Sequence, residues 1–147
     1  MVNDNFKKSI KTPQTVEAVF NLLLDIEQWW SGIYGEEIKG ESKKIGDEFT
    51  FKAGGGAHYS KQKLIELIPN KKVVWLITDS TLSFLNDTGE WVNTKIGFEI
   101  STSENSTVLT FTHDGLVPQK ECYNACSGGW TRYLDKLNEK LAGEIDQ

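Results

Sequence analysis

The chain has 147 residues, of which 38% are hydrophobic and 25% charged, and its formal net charge is −5. This length fits one domain, and the composition is that of a globular chain rather than a disordered one. The acidic balance argues against a nucleic-acid partner, which needs a basic surface, and the apolar runs are too short to span a membrane. We therefore expect a single domain over residues 1–147.

Aromatic residues are unusually frequent, with five Trp, seven Phe and four Tyr. The only cysteines, Cys122 and Cys126, are too few for a disulfide framework, and residues 1–8 lack the apolar segment of a signal peptide. We therefore expect a reducing, cytoplasmic setting.

The first predicted elements are a strand over residues 6–11 and a helix that follows it. Thr12 has the side chain of an N-cap, and Pro13 suits the first helical position. Apolar residues then recur at helical spacing through Leu24, and a second short helix is predicted over residues 26–30.

The middle of the chain changes to the period of strands. Phe49 and Phe51 share one face of their strand, and Leu109, Phe111 and His113 share one face of another. One covered and one wet face is typical of an antiparallel sheet. The six predicted strands span residues 36–41, 47–53, 59–68, 72–78, 91–101 and 106–114.

The last element returns to the helical period. It leads in from Pro118, and Trp130, Leu134 and Leu137 lie on one face of a helix of about 23 residues, roughly 35 Å long. The pair Gly128-Gly129 interrupts this pattern. Glycine is unfavourable inside a helix, so this pair needs a structural reason. We expect that it allows the helix to pass closely over the sheet or to kink beside the cavity.

Helices at both ends and strands between them indicate an α+β class. We expect a curved antiparallel sheet of about seven strands wrapped around the long C-terminal helix, with two short helices after the first strand. This arrangement covers every apolar face.

Several motifs, in this order along the chain, are similar to those of a known family. They are TPQTVEAVF at residues 12–20, Trp29-Trp30, GDEF at residues 46–49, IPNKKVVW at residues 68–75, TVLTFTHDG at residues 107–115 and GGW at residues 128–130. Together they resemble the START-like (SRPBCC) superfamily, in particular its activator-of-Hsp90-ATPase-like (AHSA1) branch. The resemblance implies the helix-grip (START/Bet v 1-like) fold, with a cavity between the long helix and the inner face of the sheet.

The function we expect is binding of a small hydrophobic or aromatic molecule in that cavity, without a cofactor or a metal. No complete catalytic set is visible, so enzyme activity is not the first expectation. The expected pocket residues are Trp30, Phe49, Phe51, Trp75, Phe98, Phe111, His113, Cys126 and Trp130, with Tyr59, Phe84 and Trp91 at the mouth.

Two alternatives come from other functional classes. One is a cyclase or hydrolase acting on a polyketide-like substrate, with His113 or Glu66 as acid or base. The other is a protein-interaction module similar to the chaperone-activating domains, with an Hsp90-type chaperone as partner. A homodimer is compatible with either.

The imidazoles and thiols each have a structural and a chemical interpretation. His113 is either a hydrogen-bonded interior histidine or a functional one, and together with Cys122 and Cys126 it could supply three zinc ligands. The alternative for the cysteines is two small apolar residues that face the cavity. His58 follows three glycines at a predicted hairpin tip, where we expect an exposed loop histidine.

Overall fold

The computed structural model describes residues 5–31, 33–86 and 88–143 of the chain. Its seven strands form one antiparallel sheet in the order β1-β7-β6-β5-β4-β3-β2, which confirms the expected α+β helix-grip architecture. The elements are β1 (Phe6–Thr12), α1 (Val16–Leu24), α2 (Ile26–Trp29), β2 (Glu37–Gly40), β3 (Glu48–Ala53), β4 (His58–Ile68), β5 (Lys72–Leu82), β6 (Lys95–Ser103), β7 (Ser106–Asp114) and α3 (Tyr123–Gly143).

The core lies between the inner face of the sheet and α3. Phe98 of β6 faces Phe111 of β7 across the sheet, with ring centroids 5.1 Å apart. From the helix side, Leu134 and Leu137 are completely buried. Burying a side chain of this size contributes about 1.5–3 kcal/mol to the free energy of folding. The inward-facing strand residues and the apolar face of α3 therefore form one common core.

The first helix begins later than the sequence predicts. Its N-cap is Thr15, whose hydroxyl oxygen accepts a hydrogen bond from the backbone N–H of Ala18 at 3.1 Å. Thr12 instead ends β1, opposite Thr107 of β7, and is buried. Strand pairing with β7 therefore overrides the local capping signal of Thr12.

Three other boundaries also differ from the prediction by several residues. β5 continues to Leu82, and residues 91–94 form turns rather than the start of β6. Asn93 has a positive φ of 71°, which a strand residue does not adopt. The last helix begins at Tyr123 rather than near Pro118.

A bulge in β4 decides where Glu66 points. The pairing with β5 shifts between Leu64 and Glu66, so that Leu64 lies opposite Trp75 and Glu66 opposite Val74. The extra residue reverses the alternation of β4 beyond this point. The carboxylate of Glu66 consequently pairs with Lys72 at 3.5 Å, and about two-fifths of its side chain is exposed.

Among the described residues, no helix is both long and apolar enough to cross a membrane.

Candidate functional site

An apolar pocket of about 220 Å³ lies between α3 and the β3–β4 end of the sheet. Its mouth includes Tyr34 and Phe84, whose side chains are among the most exposed large hydrophobic ones described. No Asp, Glu, Lys or Arg is among the lining residues that the structure describes. The lining comprises Trp30, Tyr34, Phe51, Ala53, Gly54, Ala57, His58, Phe84, Trp91, Ala125, Cys126, Gly129, Trp130 and Tyr133.

Stacked rings form the deep wall of the pocket. Trp30 stacks on Phe51 with a centroid distance of 4.4 Å and lies against Trp130 at 5.0 Å. Trp91 stacks on Trp130, with the planes 7° from parallel and the centroids 5.8 Å apart. Ring pairs at these distances attract one another beyond the effect of burial, so the wall is a rigid aromatic slab.

His113 lies behind this wall and anchors it. Its Nδ1 accepts a hydrogen bond from Nε1 of Trp130 at 3.0 Å, which assigns the proton of the neutral ring to Nε2. Nε2 lies 2.9 Å from the hydroxyl of Thr94, which itself donates to the backbone carbonyl of Trp91 at 2.6 Å. Burial, together with the positive charge of Lys120 and interaction with His58, lowers the pKa of His113 to about 3.

These contacts define the role of His113. Both ring nitrogens are engaged, the side chain is fully buried, and it is not part of the pocket lining. The neutral imidazole positions Trp130, and through Thr94 it also holds the turn that carries Trp91. It is therefore a positioning residue of the pocket wall.

His58 lies in the wall itself, at the start of β4. Its ring meets Phe51 and Trp91 edge-on, with centroids 5.3 Å and 4.6 Å away. Burial lowers the pKa of His58 to about 4, so the ring is neutral at physiological pH. Among the described residues, neither Nε2 of His58 nor Nε1 of Trp91 has a hydrogen-bond partner.

Tyr133 of α3 joins the pocket to the loop before β2. Its hydroxyl donates a hydrogen bond to the carboxylate of Glu36, which also accepts the backbone N–H groups of Tyr34 at 2.9 Å and Ile33 at 3.1 Å. Burial would raise the pKa of Glu36, but these hydrogen bonds outweigh it and lower the pKa. Burial and the neighbouring carboxylate raise the pKa of Tyr133, so this hydroxyl keeps its proton.

The loop between β5 and β6 is tied to the beginning of α3. The carboxylate of Glu90 accepts the backbone N–H groups of Glu121 at 2.8 Å and Cys122 at 2.9 Å. These groups precede the helix and have no helical carbonyl to bond. The loop also contributes Phe84 and Trp91 to the pocket, so Glu90 helps to hold two pocket residues in place.

The two cysteines are joined as a disulfide between the residue preceding α3 and its first turn, with a Cα–Cα distance of 5.4 Å. This corrects the expectation of two separate thiols. The zinc alternative is not assembled, because the ring nitrogens of His113 and both sulfurs are engaged with other groups. In the parts of the chain that the structure describes, no cluster of three or more His, Cys, Asp or Glu could hold a metal ion.

The expected pocket residues fall into three groups: those that line the pocket, those that are buried in the packed core, and Tyr59, which lies on the outer face of the sheet. Trp30, Phe51, Phe84, Trp91, Cys126 and Trp130 line the pocket, with Trp91 buried in the wall rather than at the mouth. Phe49, Trp75, Phe98, Phe111 and His113 also face inward but are buried in the packed core, outside the pocket lining. They lie deeper under the sheet, where neighbouring side chains fill the space.

Tyr59 lies outside the pocket because of the alternation of side chains along β4. It alternates with His58 and Ser60 along β4, and Ser60 is completely buried in the interior. Tyr59 therefore points to the outer face of the sheet, and its expected place at the mouth is wrong.

Sequence reasoning missed three functional candidates: Tyr34, His58 and Tyr133. Tyr133 follows Trp130 by three residues on α3, so the helical stripe could have identified it. His58 has the same alternation as Ser60, so extending β4 by one residue would have placed it inside. Tyr34 lies in a loop before β2 and gives no such signal.

The glycines of α3 do not mark a close passage over the sheet, so this part of the expectation is wrong, whereas the expected kink stays a prediction. A Cβ atom added to Gly128 or Gly129 would meet nothing within 4 Å, so the helix does not pass closely over the sheet at these positions. Gly129 lines the pocket, whereas Gly128 does not. The missing side chain at Gly129 therefore leaves space for the pocket itself.

The acid–base residues of the enzyme alternative are not at this site. Glu66 lines a separate groove of about 330 Å³ instead, together with Lys72, Lys95, Glu99 and Thr110. The charged and polar lining of this groove differs from that of the aromatic pocket. Neither Glu66 nor His113 lines the aromatic pocket.

Comparison with known proteins identifies relatives over nearly the whole chain. A family model described as "Activator of Hsp90 ATPase homolog 1-like protein" matches residues 13–142. None of the curated proteins compared with the chain matches it.

Solved structures extend this similarity. The Aha1 dimer from Colwellia psychrerythraea is 27% identical, with a TM-score of 0.74 over 97% of this chain and 98% of that one. Protein CV1439 from Chromobacterium violaceum is 16% identical, with a TM-score of 0.72 over 95% and 98%. Protein NE0264 from Nitrosomonas europaea is 14% identical, with a TM-score of 0.70 over 100% and 99%. At the two lower identities the likeness concerns the fold alone.

Proposed function

Because the chain belongs to the activator of Hsp90 ATPase homolog 1-like family, we propose that it binds a small hydrophobic or aromatic molecule in the pocket between the sheet and α3. The observation that carries this proposal is the pocket of about 220 Å³, which is lined by aromatic and small side chains without a charged one among those described. Concave apolar surfaces of this kind are the usual sites of small-molecule binding.

The size of the pocket limits the ligand. An apolar cavity of roughly 150 Å³ holds one benzene molecule. The 220 Å³ available here therefore suits a molecule of about two fused rings. Its flat faces would lie against the slab formed by Trp30 and Trp130.

The pair of glycines on α3 provides a matched test. Leucine at Gly129 would project into the pocket, whereas leucine at Gly128 would not line it. Both substitutions also remove a residue that is unfavourable in a helix, so neither should lower stability through helix propensity.

The probe is naphthalene, and its binding is followed by Trp fluorescence and by the NMR signals of the indole N–H groups. We expect wild type and Gly128→Leu to bind it and Gly129→Leu to lose binding, with thermal unfolding as the control for folding. Equal binding by the two variants, or no binding by wild type, would contradict the proposal.

The assembly of the protein is a second part of the proposal. The relative from Colwellia psychrerythraea is described as a dimer, and at 27% identity it favours a homodimer for this chain. Sedimentation velocity over a range of concentrations tests this directly. A single monomer species throughout would refute the dimer without affecting the pocket.

An Hsp90-type chaperone is the alternative partner, favoured by the description of the matching family. Its test is the rate of ATP hydrolysis by Hsp90 with and without this protein. Stimulation that survives in Gly129→Leu would assign the interaction to the protein surface rather than to the pocket. An unchanged rate would retire this alternative.

A further inference from the structure

Two buried nitrogen atoms in the pocket wall lack hydrogen-bond partners among the described residues. They are Nε2 of His58 and Nε1 of Trp91, and the two rings are adjacent, with centroids 4.6 Å apart. Buried polar atoms are nearly always paired in native proteins, so two unpaired atoms in one pocket call for an explanation.

Three of the four other indoles of the chain sharpen this contrast. Nε1 of Trp29 donates to the carbonyl of Leu23 at 3.1 Å, and Nε1 of Trp75 donates to the hydroxyl of Ser42 at 2.7 Å. Trp130 donates to His113. These three indoles each have a partner within the protein, whereas Trp91, which lines the pocket, has none among the described residues.

The chemistry of the two unpaired nitrogens restricts the group that could satisfy them. An indole N–H only donates, and Nε2 of a neutral imidazole accepts when the proton is on Nδ1. A hydroxyl group is the smallest group that can accept from one and donate to the other. A hydrocarbon would leave both nitrogens unpaired.

The charge of the ligand follows from the rest of the lining. Among the described lining residues none is an Asp, Glu, Lys or Arg that could pair with an ion. The ionised carboxylate of Glu36 contacts the hydroxyl of Tyr133 in the wall and would repel an anion. An ion in an apolar site without a partner is strongly unfavourable, so the ligand should be neutral.

We infer that the pocket selects a neutral, fused-ring aromatic molecule that carries a hydroxyl group. The two nitrogens have almost no accessible surface in the structure, so the rings of His58 and Trp91 must shift apart as the hydroxyl accepts a hydrogen bond from Trp91 and donates one to His58. This inference rests on the proposed function and adds the class of ligand. It also makes His58 the residue that determines specificity.

The test compares naphthalene, 2-naphthol, 2-methoxynaphthalene, the anion 2-naphthoate and the cation benzyltrimethylammonium at neutral pH. We expect 2-naphthol to bind about tenfold more tightly than naphthalene, because it satisfies both nitrogens. The methoxy compound cannot donate to His58 and should lose most of this advantage. The carboxylate should bind more weakly than naphthalene.

Variants assign the effect to His58. His58→Phe keeps an aromatic ring in the wall but removes the hydrogen-bond acceptor, so the ratio of the 2-naphthol and naphthalene affinities should fall from about ten to about one. His58→Gln restores a hydrogen-bonding group and should recover part of the advantage. Tyr59→Phe, on the outer face of the same strand, is the matched control and should change neither affinity.

The outcomes separate the two proposals. Equal affinity of wild type for naphthalene and 2-naphthol, or an advantage that persists in His58→Phe, would overturn this inference while leaving ligand binding intact. Tighter binding of 2-naphthoate, or of benzyltrimethylammonium, would overturn the inferred neutrality. No binding of either naphthalene or 2-naphthol to wild type would overturn the proposed function as well.

Discussion

The indole of Trp130 donates a hydrogen bond from Nε1 to Nδ1 of His113, at 3.0 Å. This bond joins the middle of α3 to the inner face of β7, and it positions the ring on which both Trp30 and Trp91 lean. It also uses the nitrogen that a catalytic base would need. One contact therefore stabilises the pocket wall and makes His113 unsuitable as a base.

Replacing His113 tests this assignment. His113→Phe leaves Nε1 of Trp130 buried without an acceptor, and we expect the free energy of unfolding to fall by about 1–3 kcal/mol in urea denaturation. Thr94→Val removes the other partner of the imidazole and should destabilise in the same direction. Unfolding free energies within about 0.5 kcal/mol of wild type would show that the bond does not contribute.

Both histidines should make the fold sensitive to acid. The pKa is about 4 for His58 and about 3 for His113 in the folded protein, against 6.5 for an ordinary imidazole. Below pH 6.5 the unfolded chain therefore binds more protons than the folded one, so stability falls as the pH decreases toward these values. Above pH 6.5 this contribution is fully present.

The measurement is thermal unfolding at a series of pH values between neutral and 4. Each histidine contributes at most about 1.4 kcal/mol per pH unit to the slope. His58→Phe should lose less stability than wild type over this range, because it lacks one of the two groups. A parallel pH dependence for both proteins would contradict the buried, neutral state of His58.

Phe84 tests the mouth of the pocket without disturbing the core. Its side chain is 51% exposed, so Phe84→Ala should change the free energy of unfolding by no more than about 0.5 kcal/mol. Loss of the aromatic contact should weaken naphthalene binding by about three- to tenfold. Ile45→Ala, 56% exposed and outside the pocket lining, is the matched control. Equal affinities of the two variants would argue against Phe84 as a pocket residue.

Glu90 tests the attachment of the β5–β6 loop to α3. Glu90→Ala leaves the backbone N–H groups of Glu121 and Cys122 without their carboxylate partner. The loss of such a cap costs about 0.5–2 kcal/mol, which urea denaturation measures. Glu99→Ala removes an exposed carboxylate from β6 and should stay within about 0.5 kcal/mol of wild type. If the two variants are equally stable, Glu90 does not anchor the loop.

Prediction from sequence succeeded where a pattern is repeated over several residues. The strand over residues 106–114 is predicted with the bounds of β7, because alternation and flanking turns agree. Simple alternation is misleading at Glu66, because a single inserted residue in β4 places this side chain on the face opposite to that of Leu64. A bulge of this kind is set by pairing with β5 and leaves no clear local signal.

The pocket was predictable only in part for a similar reason. Alternation identifies which rings point inward, and Trp30, Phe51 and Trp130 do so. It does not identify which inward rings border an open space, and Trp75 and Phe98 are packed among other side chains instead. Whether space remains depends on how α3 crosses the sheet and on small residues such as Gly129.

The sequence by itself determined the fold class, the order of the elements and the aromatic character of the interior, because hydrophobic periodicity is a local property repeated along each element. Only the tertiary structure decided which rings border the pocket, and that Nε2 of His58 and Nε1 of Trp91 are buried there without a hydrogen-bond partner among the described residues. Such contacts join residues far apart in the chain, and packing and strand register determine them.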